Sequence, residues 1–234
     1  MLGNFTDDEL AARARLRPGL YHWRVLPGRP PVAAEHQDID AVVRQFGDHP
    51  AVRTRFEELA AATNSLVLFL EYLPHPVSAM LTDPLTVERQ LFEIVASLRA
   101  RDVLHMDAHF GNMRSDGTRI HLVDYGLATS PRFDLSDEER EFVAHNADHD
   151  ADYMAMRLVN WLVTSACGVP LPARDSYVRR CADGDIPSNV PFPVVEILAR
   201  HAPAAARMNA FCYRLFDGDI HAKYPRVGSG RRRS

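Results

Sequence analysis

Two short acidic motifs separated by a segment that can only fold back on itself constrain this chain more than anything else in it. The first is His105-Met106-Asp107-Ala108-His109-Phe110-Gly111-Asn112; the second, Asp124-Tyr125-Gly126, begins twelve residues after Asn112. Between them, Met113-Arg114-Ser115 and Ile120-His121-Leu122 read as strands joined through Asp116-Gly117, a dipeptide that favours a tight turn. A hairpin of that length brings Asn112 and Asp124 to the same end. An aspartate, an amide and a second aspartate gathered in this way form a set of oxygen donors suited to a hard cation, with one carboxylate free to accept a proton.

In order and spacing these motifs resemble the catalytic and metal-binding loops of the protein-kinase-like superfamily, including its aminoglycoside phosphotransferase and choline kinase branch. The resemblance covers about residues 20 to 165. It implies ATP and Mg²⁺ as cofactors, Asp107 as the catalytic base for a substrate hydroxyl, and Asn112 and Asp124 as magnesium ligands. It implies a structural His105, bonded to backbone near Asp124 and stacked on Tyr125. His109 would stabilise the transferring phosphoryl group. Gly111 would let backbone approach the phosphates or turn sharply.

The flanking segments take on meaning from those motifs. Ser65 to Leu73 is an apolar strand halted by Pro74-His75-Pro76, and by resemblance it leads to the hinge, where Glu71, Tyr72 and Leu73 contact adenine. By itself it reads equally as a core strand before a proline turn. Ala51 to Leu59 is expected to be the strand paired with it, and residues 34–46 the small-lobe helix. Thr86 to Ala100 has Val87, Leu91, Ile94, Val95 and Leu98 at helical spacing. Asp152 to Val163 matches a buried helix whose first-turn aspartate, Asp150 or Asp152, braces the catalytic loop. Val194 to Arg200 and Ala204 to Phe216 are expected to be two further helices, the second stopped at Gly218.

Three departures from the family pattern bear on function. No G-x-G-x-x-G precedes the small-lobe helix, where the glycines are Gly3, Gly19 and Gly28. In the strand Leu20 to Leu26, Arg24 stands in for the ATP-anchoring lysine, with Glu35, Asp38 or Asp40 as partner, or else is a surface residue. Arg114 occupies the position beneath adenine, where it would stack on the base or fill the pocket. After Asp124-Tyr125-Gly126, Ser136 and Glu139 form a capping box, so a helix begins where a peptide-docking platform would lie. No A-P-E follows, which favours a small-molecule or atypical acceptor.

Composition narrows the setting. The formal net charge of −4 argues against a nucleic-acid partner. Three cysteines without metal-ligand spacing suggest reduced thiols in the cytoplasm. The apolar run Leu66 to Leu70 is too short to cross a membrane, and the first twenty residues do not resemble a signal peptide. The expected fold is therefore α+β and bilobal, protein-kinase-like, with a truncated small β lobe (1–73), a mainly helical large lobe (74–226) and a disordered basic tail (227–234). The expected function is ATP- and Mg²⁺-dependent phosphoryl transfer to a hydroxyl of a protein or small molecule. The alternatives are a pseudokinase or truncated kinase homologue acting as a binding module without catalysis and, more weakly, a structural fold that binds no nucleotide.

Overall fold

The computed structural model describes residues 18–31 and 37–225. The expected basic tail, Glu35 and the first three residues of the expected helix 34–46 lie outside them. Among the described residues the architecture is α+β and mainly helical, with seven α-helices, one two-stranded sheet and one three-stranded sheet. This is consistent with a reduced small lobe and a helical large lobe. Two compact units divide the chain. Gly19–Tyr72 and Cys212–Ala222 make the smaller, and Leu73–Phe211 with Pro18 and residues 223–225 makes the larger.

In the smaller unit β1 (Leu20–Pro27) pairs antiparallel with β2 (Asn64–Leu70), setting Trp23 against Leu68 and Val25 against Leu66. Alternation puts these four apolar side chains on one face, and each is about half exposed. Between the strands lie α1 (Ile39–Gln45), capped by Asp38, and α2 (Pro50–Ala61). The segment expected to be a strand from Ala51 to Leu59 is thus helical, and β1 takes its place beside β2. The reason is local: the His49 side chain accepts from Ala51 N, Pro50 fits the first turn, and Ala, Arg, Glu and Leu favour helix over pleated backbone. An ion pair between Arg53 and Asp40 ties α2 to α1.

The larger unit is built around α3 (Pro84–Arg99), α5 (His149–Ser165), α6 (Leu171–Ala182) and the part of α7 (Phe192–Phe216) up to Phe211. Asp83 caps α3 by accepting from Leu85 N and Thr86 N, and Pro84 sits in the first turn, so this helix begins two residues ahead of the expected Thr86. Its apolar stripe, Val87, Leu91, Ile94, Val95 and Leu98, is buried. Met154, Leu158, Leu162 and Val163 of α5 are fully buried, as are Ile197, Leu198, Ala202, Ala205 and Met208 of α7. At about 1.5–3 kcal/mol for each large aliphatic side chain removed from water, this apolar centre supplies most of the drive to fold.

Residues Val194 to Arg200 and Ala204 to Phe216 belong to one helix, with Pro203 inside it. The proline removes a single backbone donor, and the buried Ala202 and Ala205 beside it hold the helix through that point. At the centre, Asn160 of α5 and Asn209 of α7 exchange amide hydrogen bonds at 2.9 and 3.2 Å. Glu88 of α3 accepts from Arg200 and, at 2.6 Å, from His201, whose ring stacks on Phe92. The last described turn returns to α5, where the Tyr224 hydroxyl donates to Asp152 at 2.8 Å.

Candidate active site

The hairpin expected between the two acidic motifs is present. β4 (Met113–Ser115) pairs antiparallel with β5 (Ile120–Leu122), and β3 (His75–Pro76) adds to the other edge of β4. Asp116 closes the turn by accepting from Thr118 N and Arg119 N, both at 2.8 Å, while Gly117 takes a φ of +101° that suits glycine. Burial works against the Asp116 charge. Those backbone donors, with the Thr118 hydroxyl and His121, outweigh it and hold the carboxyl well below its ordinary range. At the open end Val123 N donates to Asn112 O at 2.9 Å, so Asp124 follows directly from a residue bonded to Asn112.

Asn112 organises the first motif. Its Nδ2 donates to both the backbone oxygen and Oδ2 of Asp107, each at 3.0 Å. The amide is thereby oriented, and its Oδ1 accepts no hydrogen bond from any described residue. His109 caps the short 3₁₀ turn Phe110–Asn112 by accepting from Asn112 N through Nδ1 at 3.2 Å. This fixes the proton on Nε2, which lies 3.7 Å from Asp107 Oδ2. A Cβ on Gly111 would come within 2.7–2.8 Å of that imidazole ring. Gly111 therefore makes room for His109, a steric role that the sequence reading did not foresee.

Beneath the loop, His105 Nε2 donates to Val123 O at 3.2 Å while its Nδ1 accepts from Asp107 N at 3.4 Å, and its ring meets Tyr125 edge-on at 4.8 Å. Burial depresses its pKa, against the pull of Val123 O and nearby carboxylates, so the ring is neutral. Of the two aspartates expected to brace the loop, Asp150 does so. Its carboxylate accepts from His105 N at 2.6 Å and Met106 N at 3.0 Å. Burial raises the Asp150 pKa, but the His149 side chain and these backbone donors prevail and keep it lowered. Asp152 instead holds Arg207 and Tyr224.

Met106 and Asp124 both have positive φ, 66° and 59°, costly conformations of the kind that clusters at functional positions. The surroundings enforce them. Asp150 grips the residues around the first, while Leu104 and Thr129 exchange backbone hydrogen bonds at 2.9 and 2.8 Å, joining the chain before the loop to the chain after Asp124. The capping box starts α4 (Asp137–His145) as expected, with Ser136 and Glu139 bonded to each other's backbone.

The residues expected to meet a nucleotide occupy varied surroundings. Arg114 donates from its guanidinium to Leu73 O and Pro74 O at 3.0–3.2 Å, so its plane is tied to backbone and Leu73 O is engaged. Glu71 accepts from Gly19 N at 3.0 Å. Arg24 donates from Nε to His22 Nε2 at 2.9 Å, whereas Asp38 caps α1 and Asp40 pairs with Arg53.

Among the described residues no three His, Cys, Asp or Glu side chains form a metal cluster. The donor set of Asn112 and Asp124 suits magnesium nonetheless, because that ion keeps several waters and takes its remaining ligands from phosphates rather than from an all-protein cage. Sequence reasoning overlooked Arg157, whose guanidinium lies 5.2 Å from the Phe110 ring centroid. Its spacing from Asp150, seven residues or two helical turns, was a usable signal that it shares the loop-facing side of α5.

No helix among the described residues is long and apolar enough to cross a membrane. No family model matches the chain. Over 153 aligned positions, 61% of the chain, it is 26% identical to a probable bifunctional tRNA threonylcarbamoyladenosine biosynthesis protein of Methanosarcina mazei. The match takes in 27% of that protein, so the chain spans about a quarter of its relative's length.

Proposed function

We propose that this chain is an ATP- and Mg²⁺-dependent phosphotransferase acting on a hydroxyl of a small molecule or protein. The observation that carries the reading is the orientation of Asn112. Its NH₂ group holds Asp107, its Oδ1 accepts no hydrogen bond from any described residue, and its backbone oxygen receives Val123 N, the residue before Asp124. Asp107 would accept or orient the proton of the attacking hydroxyl, and His109 would offer Nε2–H to the transferring group. Asn112 and Asp124 would hold magnesium, which when bound supplies neutralisation of phosphate charge. The likeness to a tRNA threonylcarbamoyladenosine biosynthesis protein supports tRNA modification as one setting for such an activity.

A thermal-shift titration with ATP tests this reading. ATP with Mg²⁺ should stabilise the chain by about 2.7 kcal/mol at a hundredfold excess over Kd, and Asp124→Ala should abolish the shift. An equal shift in the variant would overturn the assignment. The two-stranded sheet of the smaller unit and the missing glycine-rich motif favour a second reading, a nucleotide-binding pseudokinase. Under it Mg²⁺-ATP binds but is never consumed with any acceptor. On either reading the affinity should be weak, a Kd of ~0.1 mM or poorer.

A further inference from the structure

Beside the catalytic loop the larger unit contains a cleft of about 250 Å³, lined among others by Phe110, Arg157, Trp161, Thr164, Leu171 and Arg174. Its walls come from the loop itself and from α5 and α6. The two arginines set its character. Neither forms an ion pair or hydrogen bond with any described residue, although Arg179 on α6 pairs with Asp175. The Nε atoms of both Arg157 and Arg174 are buried without a hydrogen-bond partner among the described residues. A buried guanidinium N–H left unmatched is costly, and native structures rarely tolerate one without a ligand or water to receive it. Two arginines with such donors lining one concavity, with Phe110 and Trp161 as aromatic walls, suit an oxyanion carried on a small apolar body.

We propose that this cleft is a binding site for the phosphate or carboxylate group of a small acceptor molecule. Phe110 makes the connection to chemistry: it follows His109 directly, and its ring carries the Arg157 guanidinium. An anion drawn to Arg157 and Arg174 is thereby held at the wall of the loop that bears Asp107. Describing the anion as part of the acceptor rests on the phosphotransferase reading; the binding of an anion does not.

Trp161 lines the cleft, and the only other tryptophan is Trp23 in β1, so a Trp23→Phe chain reports occupancy by fluorescence. Inorganic phosphate and acetate are titrated separately at constant ionic strength. At least one should give a saturable change, and the tighter of the two identifies the anionic group. Arg174→Gln, which breaks no hydrogen bond or ion pair to any described residue, and Arg157→Gln should each weaken binding by about tenfold or more. Asp124→Ala should leave the titration unchanged. No saturable change with either anion, or identical curves in both arginine variants, overturns the site. Anion binding that behaves as stated while Asp124→Ala keeps its full Mg²⁺-ATP shift sinks the phosphotransferase reading and the acceptor role with it, but retains the anion site.

Discussion

Asp150→Ala should be among the most damaging single substitutions in the larger unit. The carboxylate receives two backbone N–H groups of the candidate catalytic loop, at 2.6 and 3.0 Å, and sits 3.3 Å from His149 Nδ1. A hydrogen bond to a charged group contributes about 1.5–3 kcal/mol, and a buried N–H left unmatched costs about 1–3 kcal/mol, so losing the two loop contacts should cost about 3–5 kcal/mol. That is a large fraction of the roughly 5–15 kcal/mol that stabilises a typical domain. Asp150→Asn keeps one acceptor oxygen and should cost about half as much. Urea unfolding followed by Trp161 fluorescence, again with Trp23→Phe, reads the larger unit directly. Because the folded pKa of Asp150 is depressed, its contribution is present above the unfolded value near ~3.9 and is lost as pH falls through the folded one. The gap between parent and Asp150→Asn should therefore close in acid. A cost below about 1 kcal/mol for Asp150→Ala, or a gap independent of pH down to the acid limit of folding, would refute the bracing role.

Given turnover with any acceptor, Asp107→Asn should lower kcat by roughly 10²-fold while nearly preserving nucleotide affinity; joint loss of both would remove Asp107 from the base role. Gly111→Ala forces the His109 ring to move and should cost about 1–3 kcal/mol together with activity, whereas a fully active variant would show that His109 can relocate freely. His105 and His201 are both held below their ordinary pKa, chiefly by burial. Their contribution is complete above ~6.5 and is lost as pH falls from there toward their folded values, so the urea midpoint should drop below pH 6.5 with net proton uptake on unfolding. A flat midpoint between pH 7 and 5 would contradict that assignment, where both limits are about the ordinary histidine range.

The hairpin and the geometry of the loop before it were legible because each rests on local rules: a turn dipeptide, strand pairs of matched length, and side chains that bond within five residues, as Asn112 does with Asp107. Helix α3 was legible from periodicity and α4 from its capping box, whereas α5 was expected from resemblance alone. Ala51 to Leu59 was misread because its loose alternation fits both periods, and the decisive evidence lay outside it, in the His49 cap and Pro50. Pro203 invited a break that packing overrides. Spacing could place Arg157 on the loop-facing side of α5, but what distinguishes Arg157 and Arg174, buried Nε atoms without a hydrogen-bond partner among the described residues, is a property of the folded surroundings.

The reciprocal amide pair of Asn160 and Asn209 acts as a ratchet pawl between α5 and α7. Sliding one helix past the other by a single turn, about 5.4 Å, would strand two buried amides among aliphatic side chains. Aliphatic contacts alone tolerate such slippage far better, since one leucine substitutes readily for the next. The lock sets the axial height of α5, and Asp150 stands at the end of that helix. A slipped α5 would carry its carboxylate past His105 N and Met106 N altogether. Asn160→Leu with Asn209→Leu should therefore preserve a stable helical unit while allowing α5 more than one height, and the catalytic loop, rather than the core, would show the disorder.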